Sequence, residues 1–131
     1  MKHLEKPTDE EERVASHIVD AAFKVHSTLG PGLLENVYEI CFCHELEKHN
    51  IICKRQVVVP IEYDVIGFQE ALRLDVLVND LIVCEIKAAD KMNPVWEAQL
   101  LTYLRLTQKR LGFLINFNLP LAKHGIKRII L

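Results

Sequence analysis

The sequence predicts an α/β fold whose elements follow one another as two helices, three strands, one helix and two strands. Three observations support this order. Apolar residues first recur at the helical spacing of three to four positions, up to about His49. From Ile51 to Ile61 the β-branched residues dominate, and short apolar runs bounded by Gly, Pro, Asn or Asp then follow. A further helical pattern after Asn93 interrupts these strands.

Length and composition limit the class of protein. The chain has 131 residues and is 50% hydrophobic, which favours one buried core and a single domain over residues 1–131. No apolar run approaches the ~20 residues of a membrane span, and the first ten residues are charged, so we expect a cytoplasmic protein with no membrane partner. The formal net charge of -2 argues against polyanion binding by bulk charge, so any nucleic-acid contact must be local.

The first helix is predicted from about Asp9 to Leu29. Thr8 and Glu11 have the spacing of a capping box, and Val14, Ile18, Ala21 and Val25 repeat at helical spacing. Gly30-Pro31-Gly32 ends this helix, because glycine adopts the left-handed cap conformation and proline cannot continue the hydrogen-bond ladder. The second helix follows from Leu33 to about His49.

Strand signals begin after the second helix. Pro60 predicts an edge strand or a strand break, because proline lacks the N–H group that a central ladder needs. The remaining elements are a turn or short hairpin at Tyr63–Gly67, an antiparallel pair at Ala71–Val78 and Leu81–Lys87, a helix from Asn93-Pro94 to about Gln108, and strands at Leu111–Phe117 and Lys127–Leu131.

Two acidic residues stand inside the apolar runs of the antiparallel pair. Asp75 lies in Leu-Asp-Val-Leu-Val, and Glu85 lies in the run that ends at Lys87. Burying a carboxylate among aliphatic side chains is costly unless a cation or hydrogen bonds compensate its charge. Two carboxylates and one ammonium at one sheet edge therefore predict a divalent-metal site, with solvated charge at strand ends as the alternative.

The acids can share one metal ion only if their side chains leave the sheet on the same face. A plain two-residue turn at Asn79-Asp80 would place Glu85 and Lys87 on the face opposite Asp75. A three-residue loop, or a bulge near Asp75, would instead place Asp75 opposite Glu85 with Lys87 on the same face. The metal-site hypothesis requires the loop of odd length or the bulge.

Carboxylate oxygens suit Mg²⁺ or Mn²⁺, with the Ile86 carbonyl as a further candidate ligand. Such an ion polarises a phosphate and makes a water ligand nucleophilic near neutral pH. The Lys87 ammonium could orient or deprotonate that water, or offset charge on the phosphorus oxygens. Gln99 and Tyr103 are four residues apart on the third predicted helix, so they point the same way toward these strands.

A family resemblance rests on several motifs. The segment Gly32-Leu33-Leu34-Glu35-Asn36-Val37-Tyr38 matches the signature GxxExxY. With Asp75, Glu85-Ile86-Lys87 and the helical Gln99 and Tyr103, the chain resembles the GxxExxY proteins of the PD-(D/E)XK nuclease-like superfamily. The resemblance covers nearly the whole chain, although Leu74 stands where the superfamily nominally has a proline.

The resemblance implies a restriction-endonuclease-like αβββαβ core, with a mixed central sheet flanked by helices and an extra N-terminal helix. It implies that Asp75 and Glu85 bind metal and that Lys87 is the catalytic lysine. The supporting residues that it implies are Glu35 from the first core helix and the QxxxY pair Gln99 and Tyr103.

Basic residues are candidates for phosphate contacts, and the substrate-binding set that we predict is Tyr38, Lys127 and Arg128. The histidines and cysteines lack the spacing of zinc sites, so we expect reduced thiols packed in the core. Our first hypothesis is a Mg²⁺-dependent or Mn²⁺-dependent nuclease that hydrolyses phosphodiester bonds in DNA or RNA. The alternative is a catalytically silent binding or assembly module, such as a homodimer built on apolar surface. A cysteine-dependent metal or redox protein is disfavoured by the thiol spacing.

Overall fold

The computed structural model describes residues 6–131, so the first five residues of the predicted domain lie outside the described part. The elements are α1 (Asp9–Leu29), α2 (Glu35–Glu47), β1 (Cys53–Tyr63), β2 (Ile66–Val78), β3 (Ile82–Lys87), α3 (Pro94–Thr107), β4 (Leu111–Asn116), the short helical turn α4 (Ala122–Gly125) and β5 (Ile126–Ile130). The predicted order is confirmed, with α4 as an addition. None of the helices in residues 6–131 is long and apolar enough to cross a membrane.

The ends of α1 form as local chemistry predicts. The Thr8 hydroxyl accepts a hydrogen bond from the Glu11 N–H at 3.1 Å, and the Glu11 carboxylate accepts one from the Thr8 N–H at 2.7 Å. This capping box satisfies two N–H groups that have no partner within the helix. At the other end Gly30 has φ 69°, a left-handed conformation that glycine adopts without steric cost.

The strands form one mixed sheet in the order β1-β2-β3-β4-β5. Only β3 and β4 pair in parallel, and α3 makes the crossover between them; the other neighbouring strands are antiparallel. Strand β1 lies at one edge, and its register with β2 shifts between Val59 and Ile61. The shift brackets Pro60, which confirms the predicted edge or strand break.

Helices cover both faces of the sheet. Helices α1 and α2 pack on one face with a cluster, here called the α1–α2 cluster, that includes Ile18, Tyr38, Phe42, Val76, Val78 and Cys84. Helix α3 packs on the other face with the α3 cluster, which includes Leu74, Leu77, Val83, Leu100, Leu104 and Leu114. The architecture is the predicted α/β fold with a mixed sheet between helices.

Most predicted boundaries are within one or two residues of those observed, and two differences are larger. Strand β2 begins at Ile66 and not at Ala71, because main-chain pairing with β1 extends the hairpin into a segment whose side chains are exposed. The predicted loop before the last strand contains α4, whose Gly125 packs so closely that a Cβ there would overlap the main-chain oxygen of Asn116. Neither of these main-chain contacts requires a repeating pattern of apolar residues, so the local sequence does not predict them.

Candidate metal centre

The β2–β3 connection has the odd length that the metal site requires. Val78 pairs with Ile82, so the loop contains the three residues Asn79–Leu81. Asn79 and Asp80 have φ 52° and 53°, the left-handed conformation that short polar side chains tolerate. Continuing this register places Asp75 opposite Glu85.

Each of the two carboxylates accepts a hydrogen bond from a main-chain N–H of the opposite strand at the end of the β2–β3 ladder. The Asp75 N–H donates to Oε2 of Glu85 at 3.0 Å, and the Ile86 N–H donates to Oδ2 of Asp75 at 2.8 Å. Each bond uses one carboxylate oxygen and leaves the other oxygen of that group for a ligand. The ladder ends at Val76 and Cys84, and these side-chain bonds continue the connection beyond it.

The surroundings of this acid pair disfavour negative charge. Burial is the largest cause that raises the pKa of Asp75, and the carboxylates of Glu39 and Glu35 raise it further. Burial, and after it the charge of Asp75, raise the pKa of Glu85 to about 8. The buried Glu85 and the half-buried Asp75, with these pKa shifts, fit a divalent cation, because its charge would offset both the desolvation and the mutual repulsion.

Lys87 follows Glu85 by two residues in β3, so both side chains leave the sheet on the same face. Its ammonium lies 5.4 Å from the centre of the Trp96 ring, and its charge lowers the pKa of both acids. Within residues 6–131 it forms no ion pair. The indole therefore holds the lysine by a cation–π contact and leaves its N–H groups available to a substrate.

Helix α3 brings Gln99 and Tyr103 to the same region. Gln99 is exposed and lies one turn before Tyr103, which is half-buried. Burial raises the pKa of the Tyr103 phenol first, and the charges of Glu85 and Asp75 raise it further. The structure thus brings the predicted QxxxY pair within electrostatic range of the acid pair.

Helix α2 carries two acidic residues, one turn apart on the same side of the helix, whose charges act on Asp75. Glu35, its first residue, is exposed, and its charge raises the pKa of Asp75. Glu39 lies one turn later and is only 4% exposed. Our sequence prediction missed Glu39, although its i+4 spacing from Glu35 and its place in an apolar helix were visible signals.

The predicted substrate-binding Tyr38 is fully buried. Its hydroxyl donates to the Gly30 carbonyl at 2.6 Å and accepts from the Leu33 N–H at 3.0 Å. Its ring stacks on Phe117, with ring centres 4.7 Å apart. These contacts give Tyr38 a structural part in holding the Gly30–Leu33 turn.

The predicted phosphate contacts Lys127 and Arg128 leave β5 on opposite faces of the sheet. Lys127 pairs with Leu114, which pairs with Glu85, so Lys127 stands in the row of the acid pair, about 10 Å from Glu85 at ordinary strand spacing. Its ammonium is 2.7 Å from a carboxylate oxygen of Glu97. Arg128 faces α1 and forms two 2.8 Å bonds to Glu12, so the structure does not bring Arg128 to the acid pair.

In the described part of the chain, no group of three or more His, Cys, Asp or Glu residues could hold a metal ion. Cys41, Cys43, Cys53 and Cys84 are free thiols. Asp75 and Glu85 are therefore the candidate metal ligands.

Comparison with known proteins gives one finding. Searches of the curated proteins and of the solved structures find no match. The model of a family described as the PD-(D/E)XK nuclease superfamily matches residues 12–129, which extend from the first turn of α1 into β5. The chain belongs to the PD-(D/E)XK nuclease superfamily.

Proposed function

We propose that this protein is a metal-dependent nuclease that hydrolyses phosphodiester bonds in DNA or RNA. The observation that carries the proposal is the acid pair, in which Asp75 and Glu85 bond across one sheet edge with Lys87 on the face of Glu85. Nucleases of this superfamily generally use divalent metals. Asp75 and Glu85 would bind Mg²⁺ or Mn²⁺ through the carboxylate oxygens that the bonds from the Ile86 and Asp75 N–H groups leave available.

Each residue has a distinct part in the proposed reaction. When bound, the ion would supply Lewis-acid polarisation of the phosphate and a nucleophilic water. The Lys87 ammonium, held against Trp96, donates hydrogen bonds to the phosphoryl oxygens as negative charge builds on them. The Tyr103 phenol, whose pKa burial raises, remains protonated near neutral pH and can donate to a phosphate oxygen.

The finer assignment is also a proposal. The segment Gly32–Tyr38 supports membership of the GxxExxY branch, with one domain extending over the chain. Glu35 would act at the rim of the site, since it is exposed yet influences the pKa of Asp75. Lys127 is a candidate phosphate contact, provided that a nucleic acid displaces its exposed ion pair with Glu97.

A cleavage assay tests the proposal. Labelled single-stranded and duplex DNA and RNA are incubated with the protein in Mg²⁺ or Mn²⁺, and then with EDTA. Asp75→Asn and Lys87→Met should each reduce the cleavage rate by about 10²-fold or more, because each removes a group that stabilises charge in the transition state. The control is Lys48→Met, which removes an exposed lysine paired with Glu45 on α2. Absence of metal-dependent cleavage, or equal cleavage by all variants, would refute a nuclease.

A second candidate function is assembly. The β1–β2 hairpin exposes Tyr63, Val65, Ile66 and Phe68, with Val65 91% exposed, beside the sheet edge formed by β1. Apolar exposure beside an open edge strand favours association with a second copy of the chain. Sedimentation should then detect a dimer that Val65→Glu converts to monomer; a monomeric wild type at high concentration would refute this candidate.

A further inference from the structure

Strand β2 changes its packing face at Asp75. Val76 packs in the α1–α2 cluster, but Leu74, two residues earlier, packs in the α3 cluster. Residues two apart in a regular strand share one face, so the alternation is broken between them. The residue at the break is Asp75, the first acid of the proposed metal site.

Strand β1 breaks at the matching position. Cys53 packs against the α1–α2 cluster and Val57 against the α3 cluster, although four residues separate them. Between them Gln56 has φ 53°, a left-handed conformation that is strained for a residue with a Cβ. The flanking ladder pairs place Gln56 opposite Asp75, and the pair between these two residues is absent from the β1–β2 register.

Helix α2 holds this strained residue through Glu39. Nε2 of Gln56 lies 3.0 Å and 3.2 Å from the two carboxylate oxygens of Glu39, and Nε of Arg55 donates to the same carboxylate at 2.7 Å. A buried carboxylate requires such partners, and hydrogen bonds to a charged group are stronger than neutral ones. The bonds tie the side chain of Gln56 to α2 where its backbone is left-handed.

We propose that Glu39 is a positioning residue for the metal site, acting through Gln56 on Asp75. This inference rests on the proposed function, because the positioned group is a proposed metal ligand. By fixing Gln56, Glu39 holds the hairpin at the point where its packing face changes. This directs the Asp75 carboxylate to the Ile86 N–H and the Asp75 N–H to the Glu85 carboxylate. A purely structural salt bridge between Glu39 and Arg55 would not require Gln56, and this difference makes the inference testable.

Mn²⁺ affinity of the purified protein, measured by calorimetry and by the electron paramagnetic resonance of free Mn²⁺, is the first readout. Glu39→Gln and Gln56→Ala should each raise the Kd by about 10-fold or more, as loss of a residue that orients a ligand typically does. Gln56→Ala retains the charge of Glu39, so it distinguishes the positioning of Asp75 from a direct effect of the Glu39 charge on Mn²⁺ binding. Glu45→Gln, which removes a carboxylate elsewhere on α2, should leave the Kd unchanged.

The second readout is hydrogen exchange of the metal-free protein. The Ile86 amide, which bonds to Asp75, should exchange about 10-fold faster in Gln56→Ala, with the Val83 amide unchanged. Equal Mn²⁺ affinity of wild type and Gln56→Ala would overturn the inference, as would a Kd raised by Glu39→Gln alone. Wild type that binds no Mn²⁺ would instead overturn the proposed metal site. Gln56 is exposed, so the Gln56→Ala variant can fold even if Glu39→Gln does not.

Discussion

Replacing Glu85 with glutamine should remove a pH dependence from the stability of the metal-free protein. Burial, and then the charge of Asp75, raise the pKa of Glu85 from 4.5 to about 8. Between these values the folded protein keeps a proton that the unfolded chain releases. The contribution of Glu85 to stability is therefore complete below about pH 4.5 and declines as the pH rises to about 8.

The structure sets the size of this effect. One pKa unit corresponds to about 1.4 kcal/mol, so the shift of Glu85 corresponds to roughly 5 kcal/mol of unfolding free energy above about pH 8. Glutamine has nearly the same shape and can still accept the hydrogen bond from the Asp75 N–H. Relative to wild type, Glu85→Gln should thus gain roughly 5 kcal/mol between about pH 4.5 and about pH 8.

Urea unfolding followed by circular dichroism in EDTA, from about pH 4 to about pH 9, measures the difference. Glu45→Gln is the control, since Glu45 is a surface acid whose pKa is lowered by Lys48. Parallel stability curves for wild type and Glu85→Gln would refute the reasoning, because Glu85 would then titrate alike in the folded and unfolded chains. Saturating Mn²⁺ should raise the stability of wild type and leave the variant nearly unchanged.

Three substitutions test the packing that supports the site. Gly125→Ala should lower the unfolding free energy by about 3 kcal/mol, because the new Cβ overlaps the Asn116 carbonyl; Gly67→Ala, with open space around it, is the neutral control. Tyr38→Phe should lower the free energy of unfolding in denaturant by about 2 kcal/mol and leave the Mn²⁺ Kd unchanged; a raised Kd would contradict the structural role of Tyr38. Thr8→Ala should cost about 1 kcal/mol and lower the Tm; an unchanged Tm would show that the capping box adds nothing.

Local chemistry explains why much of the fold could be predicted. The capping box at Thr8, the Gly30–Gly32 stop and the proline at the start of α3 act within one or two turns of chain, so their residue types predict structure directly. The acids in apolar strands were equally visible, because their energetic cost is a property of residue type and burial. The sequence also limited the β2–β3 loop to two registers with opposite consequences for the site.

Contacts between distant segments could not be predicted in this way. The bonds of Glu39 to Arg55 and Gln56 join residues 16 and 17 positions apart, across a helix and a strand whose packing is not a local property. The burial of Tyr38 likewise depends on Phe117, which lies far from it in the sequence, just after β4. A motif tyrosine can therefore support the fold where its spacing suggested contact with a substrate.

By itself the sequence determined the order of helices and strands, the placement of Asp75, Glu85 and Lys87 on neighbouring β-segments, and the resemblance to a nuclease superfamily that the family match then established. Only the tertiary structure determined the three-residue loop, gave each of the two carboxylates a main-chain N–H donor on the opposite strand, and joined Glu39 to Gln56. The physical reason is that helix and strand propensities depend on neighbours in the chain. Register, desolvation and pKa depend instead on every group that packs around an atom, wherever it lies in the sequence.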